Sequence, residues 1–460
     1  MISERRLRYS RRQLLHGTVG VLGTAAGASI LAACGGGQAP TEAPKPAAPA
    51  AAAPTVAAQP VTGKPVTLKV IYWSSSPEDH VVFEQTFKGF QDKNPNITVN
   101  FDDIPSDEFA QKALTMIVGG TPPDAMELHP AWVMNFILAN QLTELTEIAK
   151  SDKAAYIPAQ LDFWSNQGKL YGIPYYSGPS FLFYNKTLFK KHGAKTPEEH
   201  EKAGTWTWAT LQQLAKQVTA GTGADKTFGW DAATNAVNLQ FYTCQPVWCA
   251  GGDLVNKEET EWLLDSPPVL EVMQWHADMF LKDKSIPLPS DMQGINWIFR
   301  TGKVGMAWAG RFRSLELVNA EFDVGMVSTP KGKTGSINRD GPNATGLPIG
   351  TKNVDAAYKL ATFIGGPDGA PLYMSSGRTL PVQTALLDSD IFKKSLKPYE
   401  RLDVLVEASK TVRAWRIPGK GAEELRTIQT EWENVLVGKQ DVPTAMKAAK
   451  AAMNPLLKVR

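Results

Sequence analysis

Three cysteines and six histidines are all that 460 residues supply. No two histidines stand three or four apart, so no metal centre built from these ligands is expected. Basic excess is just as scarce. The formal net charge is +2, and Arg5, Arg6, Arg8, Arg11 and Arg12 all lie in the first 33 residues beside Glu4. Without that segment the balance turns slightly negative, which leaves nothing to neutralise a phosphate backbone and excludes nucleic acid as a partner. Signs of hydrolytic or nucleotide chemistry are missing too. There is no G-x-S-x-G elbow, and no pair of carboxylates is singled out for glycoside cleavage. The run Gly325 to Thr334 ends in Gly332-Lys333-Thr334, but it is two residues too long for a phosphate loop, with Val327 where the first glycine belongs. It reads as a strand followed by a turn. No cofactor is implied. What the chain does have is 43% hydrophobic and 20% charged residues, enough for two substantial cores.

The first 33 residues have the layout of an export signal: Ser10-Arg11-Arg12-Gln13-Leu14-Leu15, then an uncharged stretch to Ala33. An uncleaved membrane anchor is the competing reading, since about 20 uncharged residues span a bilayer. Against it, the stretch is only mildly apolar and ends in Leu31-Ala32-Ala33-Cys34, which resembles a bacterial lipobox. The arginine pair is similar to a twin-arginine signal, with Leu14 and His16 departing from its usual Phe and Lys. The expectation is a signal peptide over 1–33, with Cys34 lipidated and the chain held on the outer face of the cytoplasmic membrane. Residues 35–63 contain ten Ala, six Pro and four Gly. Such a segment has little to bury and favours extended backbone, so 34–64 is read as a lipidated cysteine and a tether. Outside the cytosol the remaining Cys244 and Cys249 form an even pair. A short-loop disulfide is expected, with two buried thiols as the alternative.

From Val66 onward strand and helix patterns alternate. Val66 to Trp73 is β-rich, Val81, Val82, Phe83, Phe87 and Phe90 follow at helical spacing, and Asn94-Pro95-Asn96 stops them. Strands at Ile97–Phe101 and Asp124–Leu128 flank a helix over 109–118, and a further helix runs over 132–139. This alternation predicts a parallel α/β sheet with ligands at the carboxyl ends of its strands. Further on, Thr207 is a helix N-cap with Trp206 and Leu211 as a staple, and Pro267-Pro268 open another helix. Lys303 to Trp308 reads as a strand entering the turn Ala309-Gly310-Arg311, and two helices close the chain.

Several segments carry a family resemblance: Thr121-Pro122-Pro123-Asp124; Leu170-Tyr171-Gly172-Ile173-Pro174 leading to Leu182-Phe183-Tyr184-Asn185-Lys186; Thr205-Trp206-Thr207-Trp208; Gly302 to Met306; Gly346-Leu347-Pro348-Ile349; and Gly377 to Val382. Their order and spacing resemble the extracellular solute-binding proteins of ABC importers, in the maltose and oligosaccharide group. The resemblance implies an α/β, two-lobed periplasmic-binding-protein-like fold (type II) with a ligand cleft between lobes joined by hinge segments. Lobe 1 would hold 65–175 and 341–376, lobe 2 would hold 176–340 and 377–460, and the crossings would fall near 174–179, 340–345 and 376–382.

In that architecture an aromatic at a strand's carboxyl end faces the cleft, and an indole stacks on the C–H face of a sugar ring. The candidate platforms are Trp73, Trp230, Trp248, Trp297 and Trp308, with Tyr175 and Tyr176. Further candidate contacts are Ser74, Ser75, His129, Trp132, Gly310, Arg311 and Arg378; Asp231, Asp102 and Asp103 are further acceptor candidates. The implied function is capture of a sugar or oligosaccharide by a monomer that delivers it, chemically unchanged, to a membrane permease. An exported carbohydrate hydrolase is the alternative enzyme, and a sensing or adhesion lipoprotein the alternative binder.

Overall fold

A computed structural model describes residues 63–74, 77–130, 132–231, 243–288, 291, 297–414 and 422–457. Cys34, Ser75, the expected signal peptide and nearly all of the tether lie outside these residues. The first strand, β1 (Val66–Tyr72), is rich in β-branched residues and becomes wholly buried towards its carboxyl end. It pairs in parallel with β2 (Ile97–Asp103) on one side and β3 (Ala125–Leu128) on the other. Helix α1 (Pro77–Lys93) joins β1 to β2, and α2 (Ser106–Val118) joins β2 to β3. Phe83, Phe87 and Phe90 of α1 fall on one stripe and enter the core. The helix stops just before Asn94-Pro95, where the proline disfavours a helical predecessor. Helix α3 (Val133–Leu138) follows β3.

A short hairpin, β4 (Ser165–Asn166) with β5 (Lys169–Leu170), precedes β6 (Ile173–Tyr176). The chain then enters a second sheet built from β7 (Ser180–Asn185), β8 (Phe228–Asp231), β9 (Val304–Gly310) and β10 (Val324–Val327), in the order β10-β7-β9-β8. After β11 (Asn338–Asp340) it returns to the first sheet as β12 (Asn343–Gly346). A last strand, β13 (Val412–Ala414), pairs with β11.

The first sheet therefore runs β2-β1-β3-β12-β6 and is mixed, where the sequence predicts a parallel one. The reason is the crossing. Strand β6 leaves the lobe and β12 comes back into it, so β12 lies antiparallel to both β3 and β6. One apolar core surrounds this first sheet. The second sheet is covered on both faces: Leu182 and Tyr184 of β7 point into one core, Phe181 and Phe183 into another. Every residue of β7 and β9 is buried accordingly. The third passage between lobes is spread out, with Tyr373 packed in the first core and Met374 and Leu380 in the second.

Cys244 and Cys249, expected as a disulfide, lie five residues apart on one short helix, Cys244–Cys249. Five residues of helix rise about 7.5 Å and turn the side chains to different faces, beyond a disulfide's span. Both are buried thiols. Burial pushes the Cys244 thiol up to about 12 and raises that of Cys249, which makes both poor nucleophiles. Among the described residues no helix is long and apolar enough to cross a membrane.

Candidate functional site

The passages between the two sheets are stitched at one buried carboxylate. Asp340, at the end of β11, accepts hydrogen bonds from the Gly178 N–H (2.8 Å), the Ser177 hydroxyl (3.1 Å) and the Gln160 amide. The Leu380 N–H donates to the Ser177 carbonyl (2.9 Å), which adds the third passage. Burial raises the Asp340 pKa and the donors restrain the rise.

A cavity of about 240 Å³ opens at this junction. Six of its lining residues come from the crossings themselves: Tyr176, Gly178, Arg339, Gly341, Asn343 and Arg378. The first lobe adds Trp73, Asp79, Phe83, Glu127, His129 and Tyr373, and the second lobe adds Phe312. Gly178 and Gly341 lie close under neighbouring side chains. A Cβ on Gly178 would meet the Tyr176 ring at 2.8 Å, and one on Gly341 would meet the Arg339 guanidinium at 2.7 Å.

Glu127 organises the first-lobe wall. Its carboxylate accepts from the Trp73 N–H (3.0 Å), the Tyr175 hydroxyl (2.6 Å) and the Asn343 amide (2.5 Å), so it ties β3 to the end of β1, to β6 and to β12. Burial nevertheless pushes its pKa up to about 8, against the pull of those donors. Beside it, burial and the charge of Arg339 lower His129 to about 3, which keeps the imidazole neutral. The polar edge of the cavity is an ion pair, Arg378 to Asp79 at 2.9 Å, with both side chains largely shielded from water.

Trp73, His129, Tyr176 and Arg378 are thus sequence candidates that the fold brings to the cavity. The others go elsewhere. Ser74 sits next to the cavity wall, where its N–H donates to Asp103 (2.9 Å), and Asp103 also meets His80 at 2.7 Å. Asp102 faces Lys112. Trp132 packs between His129 and Phe109. Tyr175 is buried behind the wall as a donor to Glu127. Trp230, Trp297 and Trp308 are core residues of the second lobe, at most 3% exposed, and Trp248 is buried with them. Asp231 is buried and accepts from the Phe299 N–H (3.1 Å). Gly310 is buried beneath the Phe312 ring, 2.9 Å from where a Cβ would stand.

Arg311 is fully buried. It pairs with Glu400 at 3.0 Å and donates to the Thr379 and Ser395 carbonyls, which pins the third crossing to the second lobe. A strand-to-helix turn looked like a ligand loop in the sequence, but its charge is spent on the protein's own carbonyls.

The residues the sequence reading missed include Asp79, Glu127, Phe312, Arg339 and Tyr373. Glu127 had a visible signal, a carboxylate inside the otherwise apolar strand Ala125-Met126-Glu127-Leu128. Arg339-Asp340-Gly341 is a charged pair beside a glycine at an expected crossing. Phe312 and Tyr373 have no signal apart from the fold.

Two α/β lobes around a cavity built from strand ends and crossings define a two-lobed, cleft-type binding protein of the type II periplasmic-binding-protein fold. Residues 73–371 match the family of bacterial extracellular solute-binding proteins, and the chain belongs to that family. A binding protein, by its name, of Brucella abortus is 25% identical over 387 residues, 82% of this chain and 90% of the relative. An ABC substrate-binding protein of Listeria monocytogenes, solved with cycloalternan, superposes with a TM-score of 0.73 at 21% identity, over 86% of this chain and 100% of that one. A cyclic α-maltosyl-1,6-maltose binding protein of Arthrobacter globiformis superposes with a TM-score of 0.72 at 20% identity, over 86% and 99%.

Proposed function

We propose that this protein is the solute-capturing component of an ABC importer. It takes a sugar or short oligosaccharide into the cavity at the crossings and hands it over intact to a membrane permease. It does so as a monomer held to the outer face of the cytoplasmic membrane by lipid on Cys34. The observation that carries the sugar reading is the lining: Trp73, Phe83, Tyr176, Phe312 and Tyr373 surround the Asp79–Arg378 pair. Aromatic faces take the C–H face of a pyranose, and a carboxylate beside a guanidinium takes adjacent hydroxyls as acceptor and donor. The likeness to a maltosyl-maltose binder points the same way. A volume of about 240 Å³ suits a compact solute. Ligand that touches Phe312 and the first-lobe wall together favours the closed form, which the permease distinguishes from the empty one.

A glycosidase also needs two carboxyls, one with a raised pKa, and Asp79 and Glu127 are the two carboxyls among the described lining residues. Their engagements argue against that role: both Glu127 oxygens are held by donors of the fold, and Asp79 is held by Arg378. The test is calorimetry and tryptophan fluorescence against a sugar panel, followed by chromatography of the recovered sugar. Saturable binding with sugar returned intact is expected. Released monosaccharide, or silence across the panel, overturns the reading.

A further inference from the structure

A second cavity, about 250 Å³, lies in the second lobe and shares no lining residue with the first. Its inner surface is apolar, with Trp208, Pro246, Val272 and Trp275 set around the small side chains of Ala209 and Ala250. The two indoles stand 5.5 Å apart at 81°, so they form a corner with one ring presenting its face and the other its edge. Trp208 is fixed by the helix that Thr207 caps, and Trp275 by the helix Pro267–Leu281. The open side is polar: Lys333 reaches across to Glu271 at 2.5 Å, and both side chains are more than half exposed. A turn through Gly332 places Lys333 there. A Cβ on Gly332 would come within 2.3 Å of the Cys249 carbonyl, so only glycine brings this turn against the pocket.

We propose that this pocket is a second carbohydrate site, which takes one ring of a neutral sugar independently of the cleft. An indole corner backed by apolar side chains matches the C–H face of a pyranose or furanose. The charged lining is Glu271 with Lys331 and Lys333, so the ring's outer hydroxyls meet one carboxylate that accepts and ammoniums that donate. A neutral ring leaves the Glu271–Lys333 pair in place, whereas a charged ligand has to compete with one of its members. Occupied, the site holds a sugar chain on the second lobe and raises its concentration beside the cleft.

The test uses the full chain with the cleft weakened by Trp73→Ala, titrated separately with maltotriose, xylotriose and arabinotriose by saturation-transfer NMR. Saturable binding is expected for at least one of them. Adding Glu271→Gln with Lys333→Gln weakens it about tenfold, and Trp275→Phe, which keeps an aromatic in place, weakens it less. No saturable binding in the Trp73→Ala protein, or binding indifferent to the rim substitutions in protein of unchanged circular dichroism, overturns the proposal. Binding lost in the rim variant of a protein whose cleft never bound sugar supports this site and counts against the sugar reading of the cleft.

Discussion

Both sheets end at the crossings, but their terminal tryptophans lead opposite lives. Trp73, just past β1, stands in the cavity wall with its backbone N–H on Glu127. Trp308, near the end of β9, is walled in by Trp208 at 5.6 Å and Trp230 at 6.3 Å. The first sheet carries a single core and leaves its strand ends open, whereas the second is sandwiched between two cores that close over its ends. An aromatic at a strand's carboxyl end is therefore a platform only where no neighbouring element claims its face. Strand position alone does not decide it.

The largest effect that would break this contrast is expected at Arg311. Arg311→Met leaves Glu400 buried without its cation, which costs about 3–5 kcal/mol. Urea unfolding should show that loss, while sugar affinity of the folded fraction stays within about twofold because Arg311 does not line the cavity. An affinity loss to match the stability loss would return Arg311 to the ligand site. Next come the two tryptophans as a pair. Trp308→Ala should cost about 3–5 kcal/mol of stability by opening a core cavity. Trp73→Ala should lower stability by about 1 kcal/mol or less and weaken sugar binding about tenfold or more. If the two variants behave alike in both assays, the contrast fails.

The last test is a pH profile. Glu127 holds its proton more tightly folded, at about 8, than unfolded, at 4.5, so it contributes stability at acid pH that is lost as pH rises through that window. His129 runs the other way. Its folded value of about 3 lies below 6.5, so stability falls as pH drops from 6.5 towards 3. The slopes oppose each other between 4.5 and 6.5 and act alone on either side. The thermal midpoint should therefore show a broad maximum at mildly acid pH. Glu127→Gln should flatten its alkaline limb, and an unchanged limb would remove Glu127 as the cause.

The elements of the fold were legible because their signals are local. Apolar spacing marked α1, Asn94-Pro95-Asn96 marked its end, and Thr207 marked a helix start. Strand direction was not legible, since β12 takes its orientation from a passage through the other lobe that no local pattern records. The same division runs through the site. Trp73, His129, Tyr176 and Arg378 sit at strand ends or crossings, where position predicts exposure to the cavity. Phe312 and Tyr373 reach it only through tertiary packing, and the arginine of the Ala309-Gly310-Arg311 turn misled because its ion-pair partner, Glu400, lies 89 residues away.

The insertion of β12 between β3 and β6 also sets a timetable for synthesis. Chains emerge amino end first and tend to fold in that order, yet this first lobe cannot finish its sheet until the whole second sheet has been made. A nascent first lobe waits with the inner edges of β3 and β6 unpaired, and unpaired edges invite wrong partners. Completing it is a long-range closure, slow by nature, so the half-made protein stays loose until the ribosome has passed residue 346.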